Sequence, residues 1–92
     1  MKLYESFEIT QGFETWKTMY LKIKPKLESY GIVVRSYGCE ESGKKIHLFL
    51  EVDPSRLEEV ANDSELQATR ATGGVNVDSQ IQIPLQDEWF VG

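Results

Sequence analysis

Hydrophobic and polar residues alternate over residues 2–9. Leu3, Phe7 and Ile9 fall on one side, Tyr4, Ser6 and Glu8 on the other, and Glu5 breaks the apolar side. That spacing predicts a strand. Phe13, Trp16, Tyr20, Ile23, Leu27 and Tyr30 then recur at steps of three and four, which places six large side chains on one helical stripe. Pro25 lies within this stretch and predicts a kink or break near Lys24, and Gly31 predicts the stop. Residues 32–37 read as a second strand, the polar stretch 40–44 as a hairpin loop, and residues 45–52 as a third strand. Ile46, Leu48, Leu50 and Val52 face one way on that strand, with His47, Phe49 and Glu51 opposite.

Asp53 and Pro54 predict a helix start by capping and by proline at the first helical position. Leu57, Val60 and Ala61 supply its apolar side. Asn62 and Asp63 interrupt it, and Ser64 with Gln67 reads as a capping box that restarts it. Gly73 and Gly74 end the helix. Residues 75–83 form a last alternating strand, with Val75, Val77, Ile81 and Ile83 on one side and Asn76, Asp78, Gln80 and Gln82 on the other. The order βαββαβ is the ferredoxin-like α+β plan: a four-stranded antiparallel sheet in the order 4-1-3-2, with both helices on one face. Residues 1–83 are expected to form the single domain and residues 84–92 a tail carrying Trp89 and Phe90.

Composition narrows the function classes. The 92 residues allow one domain with a thin core. Fifteen acidic against ten basic residues give a net charge of −5, which argues against a nucleic-acid partner. One cysteine, Cys39, excludes an internal disulfide, and one histidine, His47, excludes a two-histidine metal centre. No cofactor is expected. No secretory leader follows Met1 and no apolar run is long enough to span a bilayer, so a cytoplasmic location without membrane contact is expected.

Two helices can cover only one face of such a sheet. Tyr4 and Phe49 fall on the uncovered face, where large apolar groups often mark a contact surface. A homodimer with its open sheet faces together, and the tail reaching over the partner, is the simplest arrangement; a solvated face with a disordered tail is the alternative.

Phe13-Glu14-Thr15-Trp16 opening the first helix, Tyr30-Gly31-Ile32 entering the second strand, and Asp63-Ser64-Glu65-Leu66 leading through Gly73-Gly74-Val75 to the last strand carry a resemblance. Over residues 1–83 the chain resembles the dimeric α/β-barrel superfamily, especially its short members without an assigned role from cyanobacteria and other bacteria. The superfamily includes cofactor-independent monooxygenases, lactone isomerases, haem-degrading enzymes and stress proteins. The resemblance implies a dimer, and a small organic ligand or protein partner held through the barrel, without selecting a reaction.

Within that plan His47 is the candidate acid/base of a cofactor-independent monooxygenase or isomerase, with Tyr4, Glu8 or Glu51 as hydrogen-bonding neighbours and Phe49 beside them. The alternative is a half-buried sheet histidine bonded across an interface. Arg35 and Tyr37 border the same space only if a three-residue loop or a bulge at Gly38 turns them from the helix side. An arginine under the helices needs a partner, which favours the turned arrangement. Other uses of the fold lack their signatures. There is no RNA-binding aromatic strand with basic flanks, no Cys-x-x-Cys after the first strand, no acylphosphatase arginine loop, no helix-borne haem ligand and no nucleophile turn.

Overall fold

The computed structural model describes residues 1–88. Its elements are β1 (Lys2–Ile9), α1 (Phe13–Ser29), β2 (Val33–Cys39), β3 (Lys45–Glu51), a 3-10 turn (Pro54–Arg56), α2 (Leu57–Ala61), α3 (Ser64–Thr72) and β4 (Val75–Leu85). The strands form one antiparallel sheet in the order β2-β3-β1-β4, the ferredoxin-like order read from its other edge. β4 pairs with β1 as far as Leu85 opposite Lys2, so the sheet takes in Pro84 and Leu85 beyond the expected boundary at residue 83. Trp89 and Phe90 lie outside the described residues.

The core lies between the sheet and the helices. Trp16, Tyr20 and Ile23 of the α1 stripe are buried against Leu3, Phe7, Ile46 and Leu50, while Phe13, Leu27 and Tyr30 are half-buried at its edges. The helix runs through Pro25 without a break and ends, as expected, just before Gly31. An interior proline costs about 3 kcal/mol, but fully burying one large apolar side chain contributes about 1.5–3 kcal/mol. Several such side chains depend on the continuous stripe, so burial wins. Leu21, whose carbonyl loses its donor to Pro25, lies on the exposed side where water can serve it. Gly31 takes a positive φ of 76° at the stop. Gly73 is needed for a different reason: a Cβ there would meet the Met19 side chain at 2.6 Å.

The second helical region restarts one residue earlier than the capping-box spacing predicts. Asp63, not Ser64, is the cap: its Oδ1 accepts the Leu66 N–H at 2.9 Å. The Gln67 side chain donates instead to the Val60 carbonyl, tying α3 to α2. The Asp63 carboxylate also accepts from the Tyr30 hydroxyl at 2.6 Å and lies 3.1 Å from Lys26 Nζ, so it links α3 to the end of α1.

Two bulges interrupt the alternation. On β2, Val34 pairs with Leu50 and Ser36 with Phe49, so Arg35 is the extra residue. On β4 the irregularity is larger. Glu8 pairs with Asn76 and Ser6 with Ile81, so a two-residue step on β1 faces a five-residue step on β4. Side-chain bonds of the inserted segment stabilise it: Asn76 Oδ1 accepts from the Asp78 amide, and Ser79 Oγ donates to the Asn76 carbonyl and accepts from the Glu8 amide. An odd insertion exchanges the faces. Ile81 and Ile83 therefore stand with Ser6 and Tyr4 on the open face, and Gln82 stands with Glu5 on the helix-side face, exposed at the sheet's edge. This corrects the expectation that Val75, Val77, Ile81 and Ile83 share one side of the strand.

The hydrogen bond from Tyr30, the amide of Leu66 and the Lys26 charge hold the Asp63 pKa down, from 3.8 to about 2. A depressed folded pKa contributes stability above the unfolded value and loses it as pH falls through the folded one. Asp63→Asn keeps a capping side chain but removes the charge. Urea unfolding is expected to show the variant less stable than wild type near neutral pH, with the gap closing between about pH 4 and pH 2. A gap that stays constant across that window assigns the loss to packing instead.

Candidate functional site

The open sheet face holds most of the predicted site. Tyr4 on β1 lies diagonally across from His47 on β3, and its hydroxyl is 2.6 Å from His47 Nδ1. His47 Nε2 lies 2.6 Å from Glu40 Oε2, at the start of the β2–β3 loop. A carboxylate can only accept, so in the neutral ring the proton sits on Nε2 and the Tyr4 hydroxyl donates to Nδ1. The Phe49 ring lies tilted against Tyr4, with ring centroids 5.6 Å apart. Arg35, turned outward by its bulge, donates from Nε to Glu51 at 2.6 Å and again through Nη2, and Lys2 Nζ stands 3.8 Å from the same carboxylate. Glu8 is exposed further along β1 and opposes Lys45. Glu40, which completes the histidine's hydrogen bonds, was not singled out from the sequence, because its place depends on the curl of the loop and no local pattern marks it.

Tyr37 parts company with Arg35. The four residues 41–44 between the paired Glu40 and Lys45 preserve the register of a two-residue turn, so Tyr37 opposes Leu48 on the helix side. Its ring packs on Trp16 at 5.5 Å and Tyr20 at 5.2 Å. The bulge lies at Arg35 rather than at Gly38, so it turns the arginine out and leaves the tyrosine in. Tyr37 is a packing residue of the aromatic cluster rather than a companion of His47.

The single chain has its large cavity on the other side of the sheet. About 640 Å³ lies between the sheet and α1, α2 and α3, walled by apolar side chains such as Leu3, Phe7, Trp16, Ile23, Leu50 and Leu66. His47 does not line it. Near β4 the wall changes character: Glu5, Gln67, Arg70, Gln80 and Gln82 all contribute. Glu5 is the residue that broke the apolar side of β1, and its Oε1 accepts from Gln82 Nε2 at 2.7 Å. Arg70, in the last turn of α3, lies over the Phe7 ring at 5.6 Å and donates to Gln80 Oε1 at 2.7 Å and to Gln67 Oε1 at 3.2 Å. Burial pushes the Arg70 pKa down, and the Glu5 charge acts in the opposite sense. The two opposite charges face one cavity without forming an ion pair among the described residues.

Sequence reasoning missed this polar end. Gln80 and Gln82 reach it only through the β4 insertion. The turn-forming series Asn76, Asp78 and Ser79 was the available signal. Among the described residues no group of three or more His, Cys, Asp or Glu side chains is arranged to hold a metal. No described helix is long and apolar enough to cross a membrane.

No family model matches the chain, and neither does any curated protein. Among solved structures, that of L-rhamnose mutarotase from Formosa agariphila superposes with a TM-score of 0.63 at 18% identity, covering 100% of this chain and 99% of that one. The likeness shows a shared fold.

Proposed function

We propose that the protein binds a small amphipathic organic molecule in the cavity between the helices and the sheet. The observation that carries this reading is the cavity itself: about 640 Å³, apolar along most of its wall, with Glu5, Arg70, Gln80 and Gln82 gathered at one end. Ligand cavities usually have this size and this division between apolar walls and a few convergent polar groups. The apolar body of the ligand lies along Trp16, Ile23 and Leu50, and its polar head meets the β4 end.

A second reading, isomerase-type chemistry, rests on the Glu5–Arg70 arrangement and on the fold shared with a sugar mutarotase. A carboxylate and a guanidinium that face one space without pairing can act on the same ligand. For a cyclic sugar, Glu5 accepts the anomeric hydroxyl proton, the ring C–O bond breaks and the ring oxygen takes a proton from solvent. Arg70 stabilises the negative charge developing on that oxygen. Reversal on the other face of the carbonyl completes the exchange. This reading moves the acid/base role from His47 to Glu5.

The open face supports a homodimer, as the resemblance to the dimeric α/β-barrel superfamily implies. Phe49 is 40% exposed, Ile81 48%, Ile83 47% and Leu85 36%, and the β4 insertion sets the last three beside Tyr4 on one face. Contiguous apolar area of this kind is uncommon on a protein that stays monomeric. In a dimer with these faces together, the Tyr4–His47–Glu40 hydrogen bonds lie within the interface.

Three measurements test these readings. 3-Phenylpropan-1-ol, titrated by NMR, is expected to bind at about millimolar strength and to move resonances of Trp16, Leu50 and Leu66; Val77→Trp, at the cavity wall, is expected to abolish those shifts. Perturbations confined to the open face overturn the cavity reading. Magnetisation-exchange NMR on L-rhamnose is expected to show anomer exchange that quickens with protein concentration, and Glu5→Gln is expected to slow that catalysis at least about tenfold; no acceleration removes the isomerase reading and leaves the binding one. Light scattering at micromolar concentration is expected to give about 21 kDa, twice the chain mass of 10.5 kDa, with Ile83→Lys shifting it to one chain mass. A 10.5 kDa wild type overturns the dimer.

A further inference from the structure

We infer that the polar head of the ligand is a carboxylate, received by Arg70, so that the preferred ligand is a small organic acid with an apolar body. The inference rests on the cavity reading above and adds the ligand's charge. A guanidinium carries five N–H donors in a planar fork. Arg70 spends one on Gln67 and one on Gln80, both neutral amides, and three have no acceptor among the described residues. No carboxylate lies within ion-pair distance of it among those residues. The two glutamines and the Phe7 ring hold the guanidinium in place, with the Nε–H and one N–H on each Nη left to donate to a ligand. A planar group presented this way matches the two oxygens of a carboxylate, which bind it through parallel hydrogen bonds.

Two acidic residues also line the cavity and must be weighed. Glu5 is engaged by the Gln82 amide, and its charge reaches Arg70 without forming a contact pair. Glu58 is exposed on α2 at the rim, where water screens it. Neither neutralises Arg70, whose partly desolvated charge gains most from an anion brought into the same low-dielectric space. The apolar wall argues against a small inorganic anion, which would leave most of the cavity surface without contact. A carboxylate on an aromatic or aliphatic body satisfies both ends.

The test compares 3-phenylpropanoate with 3-phenylpropanamide, two molecules of nearly equal shape that differ in charge, each titrated by NMR into the intact protein at neutral pH. The acid is expected to bind at least about tenfold more tightly than the amide and to shift the Arg70 Nε–H resonance. In Arg70→Gln the preference is expected to fall to about one. Arg70→Lys, which keeps the charge and loses the fork, is expected to retain part of the preference. Equal binding of acid and amide by the wild type overturns the inference, as does a preference that survives Arg70→Gln. If the alcohol still binds in the cavity in those cases, the cavity reading stands and only the carboxylate is removed. If none of the three molecules perturbs the cavity wall, both readings fall.

Discussion

The β4 insertion is the constraint on which both faces of this protein depend. Strand side chains alternate with a period of two, so the number of extra residues matters more than their identity. Three additional residues between Asn76 and Ile81 reverse the alternation for the rest of the strand. Without that reversal Ile81 and Ile83 would lie under the helices and close much of the space beside Glu5. With it, Gln80 and Gln82 enter that space and the isoleucines move outward. The polar end of the cavity and the apolar patch on the open face are thus two consequences of one count. The amide and hydroxyl bonds of Asn76, Asp78 and Ser79 hold the inserted residues locally, and the Glu8 amide and Arg70 tie them to β1 and α3.

The same rule, at smaller scale, separates Arg35 from Tyr37. One extra residue on β2 suffices to put them on opposite faces, where each meets suitable neighbours. Arg35 finds Glu51, a half-exposed pair worth about 0–1 kcal/mol. Tyr37 joins the rings of Trp16 and Tyr20, where the hydrophobic gain is larger and its hydroxyl can remain near solvent. A guanidinium under the aromatic cluster would lack a counter-ion, so desolvation determines which of the two turns out.

The sequence reveals most of the fold and little of the site. Long-period patterns survive translation into structure: the α1 stripe and the alternation of β3 are where their spacing places them, and the second helix is split as its sequence predicts, with its restart one residue early. Pro25 shows the limit of a local rule, because the stripe it interrupts is worth more than one lost hydrogen bond. Failures concentrate where a strand gains residues, since parity is a property of pairing between strands distant in sequence. Tyr4, His47, Phe49, Arg35 and Glu51 could be collected on one face by alternation alone. Their neighbour Glu40 could not, because a loop residue has no period. Gln80, Gln82 and Arg70 could not be collected either, since their meeting requires the β4 insertion and the packing of α3 over Phe7.

Glu5 is the residue at which these levels meet. By pattern it is an error, a carboxylate in the apolar series of a central strand. In the fold it opposes Leu48 and Gln82 and accepts a hydrogen bond from the latter. A well-packed core would exclude it, because an ionised group in such a core costs several kcal/mol unless it is paired and hydrogen-bonded. The cavity removes that objection by leaving its second oxygen and the Arg70 fork room for solvent or a ligand. A chain of 92 residues has a thin core and little stability to spare. A cavity of about 640 Å³ beside that core, with two opposite charges that do not pair among the described residues at one end, works against stability. Such a departure from close packing is expected where a protein binds something, and a β4 pairing one residue out of this register would set Ile81 and Ile83 beside Glu5 in place of Gln80 and Gln82.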